Sequence, residues 1–404
     1  MKILFLSTWF PYPPDNGSKI RVYHLLRALA AQHEVTLASF AFGTANAASP
    51  GLLEHLYRDV HVVERNPFRR SRIEEMMRFA SLSPIVTRPV PAMTNRVCAI
   101  LRENAFDAVI ASGEVMASYA LLARSDAPLV LEEHNSMARW SRERYRNQEP
   151  LLGRIRCWMS WQKLRLYEAH LFRRFDLCTM VSEQDRSASM TMLPGYSGPV
   201  EFVPNGVDCE HNRPGIAEET PDTLIYNGAL TYAANYDAMQ YFLAQIYPRI
   251  RREVPEISLT ITGSLDGVDL SGLALEESVN LSGYMDDVRP LVAGSAVCVI
   301  PVREGGGTRI KILEAMALGT PVVATLKGAE GLDVTPGQDV MIAHEPGEFA
   351  AQVIRLLGDP ALRRQLAANG RRLVEQRYDW TSIGQRFVEL IEDVASRHVR
   401  EGAL

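Results

Sequence analysis

A triple glycine between two short apolar runs constrains the fold more than any other feature of the sequence. The runs, at 296–302 and 321–325, are rich in β-branched residues of the kind buried on both faces of a parallel sheet. The residues between them have helical spacing, with Thr308 as the predicted N-cap and Gly319 as the predicted C-terminal stop. The pattern therefore predicts a strand, a glycine loop, a helix and a second parallel strand in succession.

A glycine loop that enters a helix at the carboxyl end of a parallel strand is an anion site, because free N–H groups and the helix dipole favour negative charge. Arg309 lies in the first turn of the predicted helix, and Lys311 and Glu314 share one of its faces. Two cations suit a diphosphate, and a carboxylate suits a pair of ribose hydroxyls. The same residues also fit a solvated helix with a Lys–Glu pair after an ordinary loop.

Length and composition indicate a globular protein of two domains. The 404 residues exceed what one core usually supports, and 47% hydrophobic with 23% charged residues is ordinary for such proteins. A net charge of −5 gives no reason to expect a nucleic-acid partner. The scattered cysteines have no metal-like spacing, which favours core thiols in a reducing compartment. We find no signal-like start and no apolar run of membrane-spanning length, and expect a cytoplasmic protein.

Strand and helix patterns alternate through both halves of the chain. The first half opens with a strand at 2–7, a loop ending at Gly17 and a helix at 19–32, and the second half restarts with a strand at 223–227 and Gly228. We therefore predict an α/β protein of two Rossmann-like, doubly wound domains facing each other across a cleft. The predicted boundaries are a first domain at 1–206, a linker at 207–222, a second domain at 223–378 and a C-terminal helix at 379–404.

Two further features of the first half are candidates for function. His134 directly follows the predicted strand at 128–133, at the edge where ligands bind in open α/β sheets, and it fits a ligand contact or a structural residue. The segment 137–174 is rich in arginine and carries Trp140, Trp158 and Trp161. Such helices either lie on an anionic membrane or are solvated with their tryptophans packed inward.

In their order and spacing these segments resemble the GT-B-fold retaining glycosyltransferases of family 4, and the similarity spans essentially the whole chain. It rests on Gly17, the motifs VSEQD at 181–185, VPNGVD at 203–208 and GYMDDVRPL at 283–291, the glycine loop with EAMA at 314–317, and YDW at 378–380. The resemblance implies that the second domain binds a nucleoside-diphosphate sugar and the first binds the acceptor. It also implies that the last helix crosses back to the first domain.

The resemblance assigns roles to single residues. Glu314 corresponds to the glutamate that binds the donor ribose, and His134 to the position that contacts the transferred sugar, to which domain closure would bring it. The other positions expected to bind the donor are Gly17, Gly228, Gly283, Tyr284, Met285, Glu304, Gly305, Gly306, Gly307, Thr308 and Ile310.

This sequence departs from the family pattern where the family has a first glutamate on the donor sugar and an arginine and a lysine on the diphosphate. The residues at those positions are Gly306, Ala229 and Ala234. We predict that Arg309 and Lys311 replace the two lost cations, and Glu304 is a candidate to replace the glutamate. A subset of similar enzymes shares the Gly-Gly-Gly-Thr-Arg-x-Lys loop, so the resemblance implies a variant site.

The expected reaction is retaining transfer of a sugar from a UDP- or GDP-sugar to a hydroxyl acceptor in polysaccharide, glycolipid or other glycoconjugate biosynthesis. Arg309, Lys311 and His134 are its expected catalytic residues, and neither a metal ion nor a cofactor is expected. The acceptor is a carbohydrate, a lipid-linked molecule or a small molecule, and the basic helices offer a peripheral contact with the inner face of the membrane. Two other functions fit the residues: a nucleotide-sugar epimerase, and a partner subunit that has lost catalysis.

Overall fold

A computed structural model describes residues 1–42, 57–69, 89–123, 127–147, 150–193, 195–305 and 307–402. The chain forms two compact units. The first comprises Met1–Pro204 together with Thr381–Leu404, and the second comprises Asn205–Trp380.

Strands and helices alternate in the described residues as the sequence predicts. The strands are β1 (Lys2–Ser7), β2 (Glu34–Ala41), β3 (Asp59–Glu64), β4 (Ala108–Ser112), β5 (Leu129–Glu132), β6 (Leu177–Met180), β7 (Val200–Phe202), β8 (Thr220–Asn227), β9 (Ser258–Thr262), β10 (Val279–Gly283), β11 (Ser295–Ile300), β12 (Val322–Thr325) and β13 (Met341–Ala343). The helices are α1 (Gly17–Ala30), α2 (Pro91–Glu103), α3 (Glu114–Ala120), α4 (Met137–Arg146), α5 (Leu151–Phe172), α6 (Glu183–Met192), α7 (Ala233–Tyr241), α8 (Tyr247–Glu253), α9 (Arg289–Ala293), α10 (Ile310–Leu318), α11 (Pro346–Gly358), α12 (Pro360–Arg377) and α13 (Trp380–Gly402).

Each unit is built on one parallel sheet. The described strands of the first unit have the order β3-β2-β1-β4-β5-β6-β7, and those of the second unit have the order β10-β9-β8-β11-β12-β13. The central strands are buried on both faces, as the runs of β-branched residues predict. In each sheet the chain first adds strands on one side of its first strand, β1 or β8. It then crosses over and adds the next strand, β4 or β11, on the other side. The carboxyl ends of β1 and β4, and of β8 and β11, are therefore the switch points where ligands bind in such sheets.

The predicted and observed elements differ mainly at their ends. Thr308 does not cap α10: the helix begins at Ile310, and Arg309 occupies the cap position without a side-chain cap bond. The backbone turns too early for a Thr308 cap, because the Ile310 N–H donates to the Thr308 carbonyl at 3.1 Å. Gly319 ends the helix with φ of 81°, as predicted.

Two further boundaries of the second unit were predicted wrongly. β8 begins at Thr220, within the predicted linker, because the Thr220 N–H donates to the Gly294 carbonyl at 2.9 Å. A π-helical turn, Phe242–Ile246, separates α7 from α8, whereas the sequence pattern predicts one helix over 235–252. It lies just before Pro248, which lacks the N–H that a continuous α-helix requires.

Candidate functional site

The carboxyl ends of β8 and β11 bring most of the predicted residues of the second unit together. Gly228 directly follows β8, and the glycine loop follows β11, the strand paired with it. α10 then starts from this loop, so its first turns lie beside the residues that follow β8. Side chains from two separate loops are therefore neighbours at one edge of the sheet.

Lys311 places its ammonium against the loop that follows β8. Its Nζ lies 3.1 Å from Asn235 Oδ1 and 4.2 Å from the centroid of the Tyr226 ring, and both of these partners are neutral. A Cβ on Gly228 would lie 2.2 Å from Nζ, so glycine is what leaves room for the ammonium. Burial, with a smaller contribution from the Arg309 charge, lowers the pKa of Lys311 from 10.5 to about 7.

Asn235 orients this ammonium and was not predicted as a site residue. Its Oδ1 also accepts from the Tyr226 hydroxyl at 2.7 Å, and its Nδ2 donates to the Ala229 carbonyl at 2.8 Å. The amide is thus held between α7 and the end of β8. No spacing pattern identifies Asn235, because its role depends on a lysine in α10 that is distant in the sequence.

Arg309 contacts the glycine loop itself. Its Nη2 donates to the carbonyl oxygens of Gly305 at 2.9 Å and Glu304 at 3.1 Å. A Cβ on Gly305 would lie 3.2 Å from Nη2 and 3.4 Å from the Cβ of Ala234. The guanidinium therefore lies next to the first turn of α7, where the family pattern has a lysine and this chain has alanine.

Glu314 lies one turn further along α10 and is paired with the last residue of β8. Its Oε2 accepts from Asn227 Nδ2 at 3.1 Å. Burial raises the pKa of Glu314, and the Lys311 charge and this hydrogen bond oppose the rise. Asn227 is buried and precedes Gly228, so its position at a strand end was a signal that sequence reasoning missed.

The remaining predicted residues of the second unit fall into two groups. Near α10, Gly305, Gly307, Thr308 and Ile310 form the loop and the helix start, and Glu304 is exposed; Gly306 lies outside the described residues. The Thr308 hydroxyl is buried and has no hydrogen-bond partner among the described residues. Gly283, Tyr284 and Met285 follow β10, which β9 separates from β8. The first group follows β11 and the second follows β10, and three strand spacings, about 14 Å, separate these two strands.

In the first unit, Gly17 and His134 lie near the switch point between β1 and β4. His134 Nδ1 is 3.3 Å from the hydroxyl of Ser18, the residue after Gly17 in α1. Its Nε2 is 3.0 Å from Ser112 Oγ and 3.2 Å from Glu132 Oε2. His134 is therefore part of a polar cluster of which it is the one member that was predicted from the sequence.

A buried ion pair completes this cluster. Arg21 Nε donates to Glu132 Oε1 at 2.5 Å, and Ser112 Oγ donates to Glu132 Oε2 at 2.6 Å. Burial alone would raise the pKa of Glu132, but the Arg21 charge and the bonds from His134 and Ser112 outweigh it, so this pKa lies well below its usual range. Ser112 and Glu132 end β4 and β5, which was the available signal for them.

Comparisons with known proteins agree with this architecture. A family model described as Glycosyltransferase Family 4 matches residues 15–211, and one described as Glycosyl transferases group 1 matches residues 221–359. An uncharacterized 44.6 kDa protein in the cps region of Klebsiella pneumoniae is 22% identical, over 94% of this chain and 96% of that protein.

Solved structures share the fold at low identity. Sucrose-phosphate synthase from Thermosynechococcus elongatus superposes with a TM-score of 0.73 at 18% identity, covering 98% of this chain and 100% of that one. HepE of Anabaena, in complex with UDP and glucose, has a TM-score of 0.70 at 19% identity, covering 97% and 100%.

The two parallel sheets, the order of their strands and these matches define a glycosyltransferase with the GT-B fold. Within that class, the first unit matches the model of glycosyltransferase family 4, and the second unit matches the model of the glycosyl transferases of group 1.

Proposed function

We propose that this protein transfers a glycosyl group from a nucleoside-diphosphate sugar to a hydroxyl acceptor, with retention at the anomeric carbon. The observation that carries the proposal is the Lys311 ammonium at Gly228 and Asn235, on the loop where the family cations are missing. The related fold of HepE, which binds UDP, makes a UDP-sugar the first donor to test. The cps-region relative makes polysaccharide biosynthesis the expected context.

The second unit offers what the leaving group requires. As the bond to the anomeric carbon breaks, negative charge grows on the β-phosphate, and preorganised donors in a poorly hydrated site stabilise it. In our proposal Lys311, Arg309 and the Thr308 hydroxyl provide these donors without a metal ion or cofactor. The Glu314 carboxylate accepts from the ribose hydroxyls, and the backbone around Gly283 to Met285 binds the base.

Calorimetry and a turnover assay test the assignment. The unmodified protein should bind UDP or GDP, and Glu314→Ala should weaken that binding because the ribose loses its acceptor. Arg309→Ala should lower donor turnover by about 10²–10³, the usual cost of losing one preorganised donor. Arg251→Ala is the matched control, since Arg251 lies in the last turn of α8, which leads into the amino end of β9, and pairs there with Glu276.

Two results would contradict the proposal. A protein that binds neither nucleotide would be a partner subunit without catalysis. If NMR shows that the donor sugar is converted to its epimer without any acceptor, the protein is an epimerase.

We further propose that the α4–α5 hairpin binds the anionic inner face of the cytoplasmic membrane, close to a lipid-linked acceptor. The segment 137–174 has ten basic and three acidic residues, hence a net charge of +7 in a chain of net charge −5. Trp161 packs inward on Tyr145, but large apolar side chains elsewhere on the hairpin are exposed: Trp140, Leu151, Leu152, Ile155, Trp158 and Leu166. Among the described helices, none is long and apolar enough to cross a membrane.

Vesicle sedimentation tests this surface. The protein should sediment with vesicles rich in phosphatidylglycerol, less so at high salt, and not with neutral phosphatidylcholine vesicles. Leu151→Ser combined with Leu152→Ser should weaken binding, because these side chains are 73% and 83% exposed. Equal binding by this variant and the unmodified protein would exclude the hairpin as the contact.

A further inference from the structure

The polar cluster at the ends of β4 and β5 determines which nitrogen of His134 carries a proton. An ionised Glu132 only accepts hydrogen bonds, so the Ser112 hydroxyl, 2.6 Å from Oε2, must donate to it. A bare Nε2, 3.2 Å from the same oxygen, would direct its lone pair at negative charge. An N–H at Nε2 instead donates to Oε2 and to the Ser112 oxygen, 3.0 Å away.

We propose that Arg21 and Glu132 are positioning residues that hold neutral His134 as its Nε2–H tautomer, with Nδ1 as a hydrogen-bond acceptor. In this cluster Nδ1 lies 3.3 Å from the Ser18 hydroxyl. The use of Nδ1 rests on the proposed function: a hydroxyl of the transferred sugar donates to Nδ1 as the Ser18 hydroxyl does. The opposite tautomer would present an N–H there, which cannot accept.

Arg21 sets this state without touching His134. Its Nε contacts Glu132 Oε1 at 2.5 Å, and its Nη1 donates to the Pro204 carbonyl at 2.9 Å. The side chains of Arg21 and Glu132 are 1% and 0% exposed, and a carboxylate so placed stays ionised only beside a cation. Without Arg21 the carboxyl would bind a proton and become a donor, and the reason for an N–H at Nε2 would disappear.

Nitrogen-15 NMR of the full chain, labelled in histidine, reads the tautomer directly. The chain has nine histidines, so comparison with His134→Gln assigns the signal. For the neutral ring of His134 we expect a pyrrole-type Nε2 and a pyridine-type Nδ1. The reverse pattern, or an even mixture, would overturn the proposal without any catalytic assay.

Two variants test whether Glu132 or Ser112 determines the tautomer of His134. Glu132→Gln presents an amide N–H to Nε2, so the tautomer should move toward Nδ1–H and kcat should fall about tenfold, the usual scale of one hydrogen bond, with little change in KM for the donor. Ser112→Ala leaves the Arg21–Glu132 pair intact and should keep the Nε2–H form. A change of tautomer in Ser112→Ala would assign control to the serine and contradict the proposal, even if Glu132→Gln does not fold.

A second His–Glu pair in the same unit is the control. His33 Nε2 lies 3.3 Å from Glu392 Oε1, and Glu392→Gln should change neither the His134 signals nor turnover. If the unmodified protein shows Nε2–H but His134→Gln keeps full donor turnover, the tautomer stands and the sugar contact is wrong. The two proposals therefore fail separately.

Discussion

The switch points of the two units share a topology but treat charge in opposite ways. In the first unit Arg21 and Glu132 neutralise each other in the protein interior. In the second unit Lys311 has an amide oxygen and an aromatic ring as its described partners, and no described carboxylate forms an ion pair with its ammonium. The ion pair in the first unit fixes the geometry of the neighbouring His134, whereas the second unit keeps the Lys311 ammonium available to a bound anion. Removing the charge of Arg21 should therefore lower the stability of the first unit, whereas removing the charge of Lys311 should lower the activity that depends on the second.

The largest expected effect on stability is in the first unit. Arg21→Met would leave Glu132 buried without its cation, and we expect the free energy of unfolding to fall by about 3–5 kcal/mol. Urea denaturation followed by circular dichroism measures this loss. The matched control is Arg58→Met, which breaks the exposed ion pair with Glu34 and should cost less than about 1 kcal/mol. Similar losses for the two variants would remove the contrast between the units.

The second unit should respond to Lys311→Met in its activity. Methionine keeps most of the apolar contact with Tyr226 and removes the ammonium, so we expect kcat to fall by about 10²–10³. The free energy of unfolding should stay the same or rise, because a partly desolvated charge has gone. Steady-state kinetics with the donor, beside urea denaturation, tests both halves. An unstable variant, or one with full turnover, would show that Lys311 is a structural residue.

A pH series sharpens the same contrast. Because the pKa of Lys311 is lowered to about 7, its ammonium is mostly lost above neutral pH, and the Kd for UDP should rise between pH 7 and 9, by up to about tenfold per unit. The folded lysine binds fewer protons than the unfolded one between about 7 and 10.5, so its contribution to stability rises with pH there. In Lys311→Met, the pH dependence of the Kd for UDP and that of the free energy of unfolding should both lose the part due to Lys311. Identical pH profiles for the variant and the unmodified protein would contradict this titration.

How much the sequence predicted follows from what each residue depends on. The triple glycine, Gly319 and the apolar runs act locally, and the strands and helices they predicted are observed. Lys311 lies near Gly228 because β8 pairs with β11. The sequence predicts doubly wound sheets but not this distance. Asn235 and Arg21 were missed because their partners, Lys311 in α10 and Glu132 in β5, are distant in the sequence, and Arg21 fits the ordinary pattern of a helix such as α1.

The smallest expected effect is that of filling the space beside the Lys311 ammonium, which Gly228 leaves open because it has no side chain. In Gly228→Ala the new Cβ would lie 2.2 Å from Lys311 Nζ, at the end of a flexible side chain, so the ammonium should move and the fold should persist. We expect a loss of UDP affinity of about tenfold, the scale of one hydrogen bond to a charged group. Calorimetry measures it, with Gly347→Ala as the control because its new Cβ meets no atom within 4 Å.

The double variant decides whether Gly228 acts through Lys311. If the alanine weakens binding only by displacing the ammonium, Gly228→Ala should cost nothing further in a Lys311→Met background, because the two changes remove the same interaction. Additive losses would mean that Gly228 has a separate role, such as close contact between its backbone and the diphosphate. In that case the charge kept in the second unit and the glycine beside it contribute independently to binding.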